Sequence, residues 1–65
     1  MKVIITVETG NAAFVDDPAG EVARILRRLA CLFEKDGLHR RVVRDFNGNA
    51  VGLVELREEG EEEGE

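Results

Sequence analysis

Residues 2–8, KVIITVE, alternate in character and are rich in β-branched side chains, the pattern of a half-buried strand. Val3, Ile5 and Val7 fall on one face; Ile4, Thr6 and Glu8 fall on the other. The first set is wholly apolar and is the expected core face. Thr9, Gly10 and Asn11 end the strand. In the loop that follows, Phe14 is the large apolar side chain expected to pin the chain to the core.

The hydrophobic period then changes. Val22, Ile25, Leu26, Leu29 and Phe33 recur at i, i+3, i+4, i+7 and i+11, which predicts one helix with a single buried stripe. Asp17 suits the N-cap, and Pro18 suits the first helical position, where its missing N–H has no intrahelical partner to lose. Asp16, Asp17 and Glu21 favour the positive end of the helix dipole. Gly37 marks the stop after about Asp36. Arg24, Arg27, Arg28, Cys31 and Lys35 fall opposite the stripe.

Residues 39–45 and 50–57 read as two further strands around Asp45-Phe46-Asn47-Gly48-Asn49, a hairpin signal. Two registers fit. A two-residue Asn47-Gly48 turn pairs Phe46 with Asn49. A type I turn starting at Asp45, with Gly48 in a bulge, pairs Asp45 with Asn49. Asp in the first position and Gly in the fourth favour the second register, but the sequence leaves the full cross-strand pairing open.

The order β-α-β-β defines a small α+β domain over residues 1–57. If the helix returns the chain to the start of strand 1, strand 3 lies in the middle of a three-stranded antiparallel sheet, and one helix covers one face. Val42 and Val43 are adjacent, as are Leu53 and Val54, so both sheet faces carry apolar groups in either register. The face without a helix is then a surface for a second copy or another protein.

Charge sharpens this division. The chain carries −5, but residues 58–65, EEGEEEGE, hold six glutamates and no base, so residues 1–57 carry +1. A charged, low-complexity segment without apolar groups predicts a disordered acidic tail.

A chain of 65 residues makes one domain. At this size only about 60% of the unfolded chain's surface is buried. One cysteine, Cys31, and one histidine, His39, exclude an internal disulfide and a structural zinc site of the Cys/His kind. Oligomerisation is the stabiliser that remains, so a homodimer is expected. No secretory signal and no run near the ~20 apolar residues of a membrane span is present, which points to the cytoplasm and no membrane association. A lone thiol fits that reducing compartment.

Three groups of residues bear on chemistry. Cys31 has Arg27, Arg28 and Lys35 at helical spacing, which would lower a thiol pKa, but no histidine lies near it in sequence, so an incidental exposed thiol is the simpler reading. Asp16, Asp17 and Glu21 suit acid–base chemistry or a hard metal ion, but helix capping explains the same residues. Arg24, Arg27, Arg28, Arg40, Arg41 and Arg44 form the candidate polyanion or partner surface. The near-neutral body and the absence of tyrosine and tryptophan weigh against nucleic acid. No catalytic residue, cofactor or metal ligand is assigned.

The segments Glu8-Thr9-Gly10-Asn11-Ala12-Ala13-Phe14, Asp17-Pro18-Ala19-Gly20-Glu21-Val22-Ala23-Arg24-Ile25-Leu26-Arg27 and Arg44-Asp45-Phe46-Asn47-Gly48-Asn49 resemble those of short proteins of phages and prophages of GC-rich bacteria. The resemblance covers most of residues 1–57 and not the tail, and no activity is established for the group. It implies a phage accessory role. The expected function is a small non-enzymatic protein-interaction protein, in its sharpest form an inhibitor of a host nucleic-acid-handling or defence complex. The alternative is a nucleic-acid-binding module that uses the basic helix and strand-2 surface.

Overall fold

The computed structural model describes residues 1–58. The expectation of a disordered tail concerns residues that, apart from Glu58, lie outside this range. The elements are β1 (Lys2–Val7), a short 3-10 turn (Ala12–Phe14), α1 (Pro18–Asp36), β2 (Arg41–Arg44) and β3 (Ala50–Arg57). The sheet order is β1-β3-β2, with β3 antiparallel to both neighbours. This is the expected α+β architecture, with one helix on one face of a three-stranded antiparallel sheet.

Local chemistry fixes the ends of α1. The Asp17 side chain accepts from Gly20 N at 3.0 Å, and Pro18 opens the helix. At the other end the Gly37 N–H donates to the Phe33 carbonyl at 2.9 Å. The expected second strand, 39–45, shortens to Arg41–Arg44. Its first residues are diverted, because His39 Nε2 lies 2.7 Å from the Asp36 carbonyl oxygen and the Arg40 guanidinium donates to the Leu56 carbonyl. Its last residue, Asp45, belongs to the turn.

The turn takes the register that starts at Asp45. Gly48 N donates to the Asp45 carbonyl and Asp45 N to the Asn49 carbonyl, both at 3.0 Å. Gly48 has φ +88°, a conformation that favours glycine. Beyond the turn the ladder slips by one residue, from Arg44↔Ala50 to Val43↔Gly52. Val51 therefore has no β2 partner, and the bulge buries it in the core.

The core gathers Phe14, Ile25, Leu29, Val43, Val51 and Val54, together with Ala13. Phe14 anchors its loop as expected and is buried. Val3, Ile5 and Val7 share the face of Val54, since Ile5 pairs with Val54. Only Val7 packs against the core, however, and Val3 and Ile5 are 40% and 39% exposed. One helix, about 10 Å across, is too narrow to cover a whole three-stranded face.

The helix stripe is also rotated from its expected position. Ile25 and Leu29 are buried and Val22 and Phe33 pack at the margin, but Leu26 is 46% exposed. Glu21, one turn before Ile25, is buried in its place. Its carboxylate has partners on the sheet side of the helix, which offset the cost of burying a charge.

Candidate functional site

The buried polar groups lie where the loop after β1, the first turn of α1 and the β2–β3 hairpin meet. Asp45 is buried, and its Oδ1 accepts from Asn47 N at 2.8 Å and Asn49 N at 2.9 Å. Its Oδ2 accepts from Asn11 Nδ2 at 2.8 Å and Asn49 Nδ2 at 3.3 Å. Asn11 also caps the 3-10 turn, with Oδ1 accepting from Ala13 N at 2.9 Å. Glu21 accepts both arms of a bidentate pair from Arg24, at 2.7 and 2.8 Å, and its Oε2 accepts from Phe46 N at 3.0 Å.

These contacts set the ionisation. The Arg24 hydrogen bonds hold the Glu21 carboxyl below its ordinary value against the opposing effect of burial, and the Arg24 charge and the Phe46 N–H add to the lowering. Burial alone would raise the Asp45 pKa, but hydrogen bonds from Asn49, Asn11 and Asn47 outweigh it and lower the value. Asp45 accepts four hydrogen bonds and Glu21 three, so both carboxylates are spent largely on tying these connections together.

The sequence reading missed this knot. Glu21 was expected to serve the helix dipole beside Asp16 and Asp17, yet it turns away from them to Arg24 and Phe46. A signal existed in the spacing, since Glu21 precedes Ile25 and Leu29 by one and two helical turns. Among the described residues no group of three His, Cys, Asp or Glu side chains is arranged to hold a metal ion. Cys31 is exposed, as expected.

The six candidate arginines divide. Arg24, Arg28, Arg41 and Arg44 line one cleft of about 270 Å³ between α1 and β2, over an apolar floor that includes Ile25 and Leu29. Arg27 and Arg40 do not line it. Arg24 was expected on the exposed helix face. It is half-buried instead, and its pairing with Glu21 offsets its charge. Arg44 Nη1 donates to the Gly48 carbonyl at 3.0 Å. Arg41 Nε is buried in the cleft wall without a hydrogen-bond partner.

The second surface is the sheet face away from α1. Thr6, Leu53 and Val42 form one row across all three strands, and Ile4 and Glu55 pair in the next. Leu53 is 48% exposed and Val42 44%, so the uncovered apolar face expected from the sequence is present. Thr6, Glu8, Val42 and Leu53 contribute to a shallow depression there. At one end Lys2 lies opposite Arg57, whose guanidinium is 3.8 Å from Glu55.

No protein-family model matches the chain, and comparison with curated proteins and with solved structures found no match. Among the described residues no helix is long and apolar enough to cross a membrane.

Proposed function

We propose that this chain is a protein-interaction module without catalytic machinery, and that it associates through the open face of its sheet, first with a second copy of itself. The exposed Thr6–Leu53–Val42 row carries the reading, because an apolar band across three strands gains free energy when water is removed from it. Leu53 lies on the central strand, so a two-fold axis lying in the face sets the row of one copy against the same row of a second. The resemblance expected from the sequence segments would, if it holds, make this an accessory role, in which the assembled domain inhibits a host nucleic-acid-handling or defence complex.

Sedimentation equilibrium at tens of micromolar tests the reading. The expected mass is at least twice the 7.2 kDa of one chain. Leu53→Lys, at an exposed position, is expected to return it to one chain with its circular dichroism unchanged. A single-chain mass at every concentration would overturn the proposal.

One observation favours a second reading. Four of the candidate arginines meet in a single cleft, as a nucleic-acid-binding module requires. Mobility shifts on DNA and RNA test it, since affinity carried by phosphate contacts falls steeply with salt.

A further inference from the structure

We infer that the outer edge of β1 pairs with β1 of a second copy, antiparallel and centred on Ile5, so that two three-stranded sheets become one continuous sheet. This contact is separate from the face contact proposed above and does not depend on it.

β1 lies at an edge of the sheet, with β3 as its neighbour among the described residues. Glu8 N donates to the Val51 carbonyl at 2.7 Å, one residue beyond the Val7↔Gly52 pair. Bonded pairs alternate along an antiparallel ladder, so Lys2, Ile4, Thr6 and Glu8 turn their backbone groups toward β3. Val3, Ile5 and Val7 therefore turn their N–H and C=O groups outward. An edge of this kind is a template for another strand unless a proline, a bulge or a charge blunts it. None of these interrupts β1 between Lys2 and Glu8. The other edge strand, β2, is only four residues long and begins and ends with arginine.

The side chains along this edge point to the same contact. Val3 and Ile5 lie on the helix side of the sheet and stay exposed beside α1. The sequence of β1 selects a second copy as the occupant. A two-fold axis through Ile5 and normal to the sheet sets Ile5 against Ile5, Val3 against Val7 and Ile4 against Thr6. The outward N–H and C=O groups of Val3, Ile5 and Val7 then face one another as bonded pairs. The axis keeps both helices on one side of the joined sheet, so the exposed Val3 and Ile5 side chains of the two copies meet there. It also sets Lys2 against Glu8 at both ends, opposite charges in the closely spaced positions of the ladder. A register centred on Ile4 or Thr6 aligns the same backbone groups but loses this charge match and shortens the pairing. One short strand from each copy is a smaller contact than a packed face, so it forms at higher concentration than the face contact.

Amide exchange and isotope-edited NOE spectra of full-length Leu53→Lys test this. That change removes the face contact at an exposed position, so the association left at several hundred micromolar is that of the edge. Exchange of the Val3, Ile5 and Val7 amides is expected to slow severalfold between tens and hundreds of micromolar. The Ile4 and Thr6 amides, already bonded to β3, should keep their rates. In a mixture of labelled and unlabelled chains, the Ile4 Hα should give an NOE to the Thr6 Hα of the other chain. Glu8→Lys sets a lysine against Lys2 of the other chain and should raise the dissociation constant about tenfold, and adding Lys2→Glu should restore it. Exchange rates independent of concentration, interchain NOEs in another register, or a double variant no tighter than Glu8→Lys would overturn the inference. Sedimentation at tens of micromolar reads the face contact, so either proposal can fail alone.

Discussion

Asn11 Nδ2 donates to Asp45 Oδ2 at 2.8 Å across 34 residues of chain, and this bond fastens the loop after β1 to the β2–β3 hairpin. Asp45 is the better connected of the two, with four hydrogen bonds to its carboxylate. Replacing it with alanine frees two backbone N–H groups and two side-chain amides at once, whereas Asn11→Ala frees the Ala13 N–H and takes one of four donors from Asp45. Thermal unfolding is expected to show a lower midpoint for both variants, with the larger drop for Asp45→Ala. The double variant should lose less than the two single losses together, because both remove the same bond. Strict additivity would mean that the bond contributes nothing to stability.

The lowered pKa values of Glu21 and Asp45 set a direction for acid stability. A carboxyl held below its unfolded value stabilises the fold fully above that value, near about pH 4, and the contribution fades as pH falls through the folded value. Chemical denaturation should give flat stability from pH 7 to about pH 5 and a decline below about pH 4. In Asp45→Asn the decline should be shallower, because one of the two groups no longer takes up a proton. An unchanged acid profile in that variant would place the titrating group elsewhere.

Gly52 occupies the central strand opposite both Val7 and Val43. A Cβ there would lie 1.7 Å from the Thr6 carbonyl oxygen, a backbone atom that cannot swing aside. Gly52→Ala is expected to cost about 3 kcal/mol or more, near the limit of what so small a domain can lose. Gly48→Ala meets no atom and has only the positive φ to contend with, a cost of about 1 kcal/mol. Urea midpoints of the two variants should differ clearly. Equal midpoints would mean that β1 moves aside at Thr6.

The sequence shows what depends on local chemistry. Asp17, Pro18 and Gly37 bound α1 where their capping roles place them, and Asp45 with Gly48 selects the hairpin register. The sheet order follows from helix length and strand count. Tertiary partners decide the rest. Nothing near Glu21 in sequence announces the Phe46 N–H that it reaches across the fold, and nothing near Asn11 announces Asp45. Apolar spacing alone therefore places the helix stripe too far toward Leu26. The arginines show the same limit, since a helix face and a strand can be read separately but their meeting in one cleft cannot.

That rotation of the stripe can be measured directly. Leu26 and Leu29 are three residues apart on α1 and belong to the same apolar pattern, yet Leu29 is 4% exposed and Leu26 46%. Leu29 packs in the cluster with Phe14, Ile25 and Val54, so Leu29→Ala removes buried methyl groups and leaves a cavity that a helix fixed at both ends cannot close. The expected cost is roughly 2–5 kcal/mol, enough to unfold much of the population. Leu26→Ala leaves no cavity, and alanine's higher helix propensity offsets part of the lost contact, so its cost should stay below about 1 kcal/mol. Phe33→Ala should fall between them, because Phe33 packs against the cluster but is only partly buried. Thermal melts of the three variants at one pH and salt give the order. If Leu26→Ala costs as much as Leu29→Ala, a surface in solution covers Leu26, and it is not the sheet face proposed for self-association, which lies away from α1.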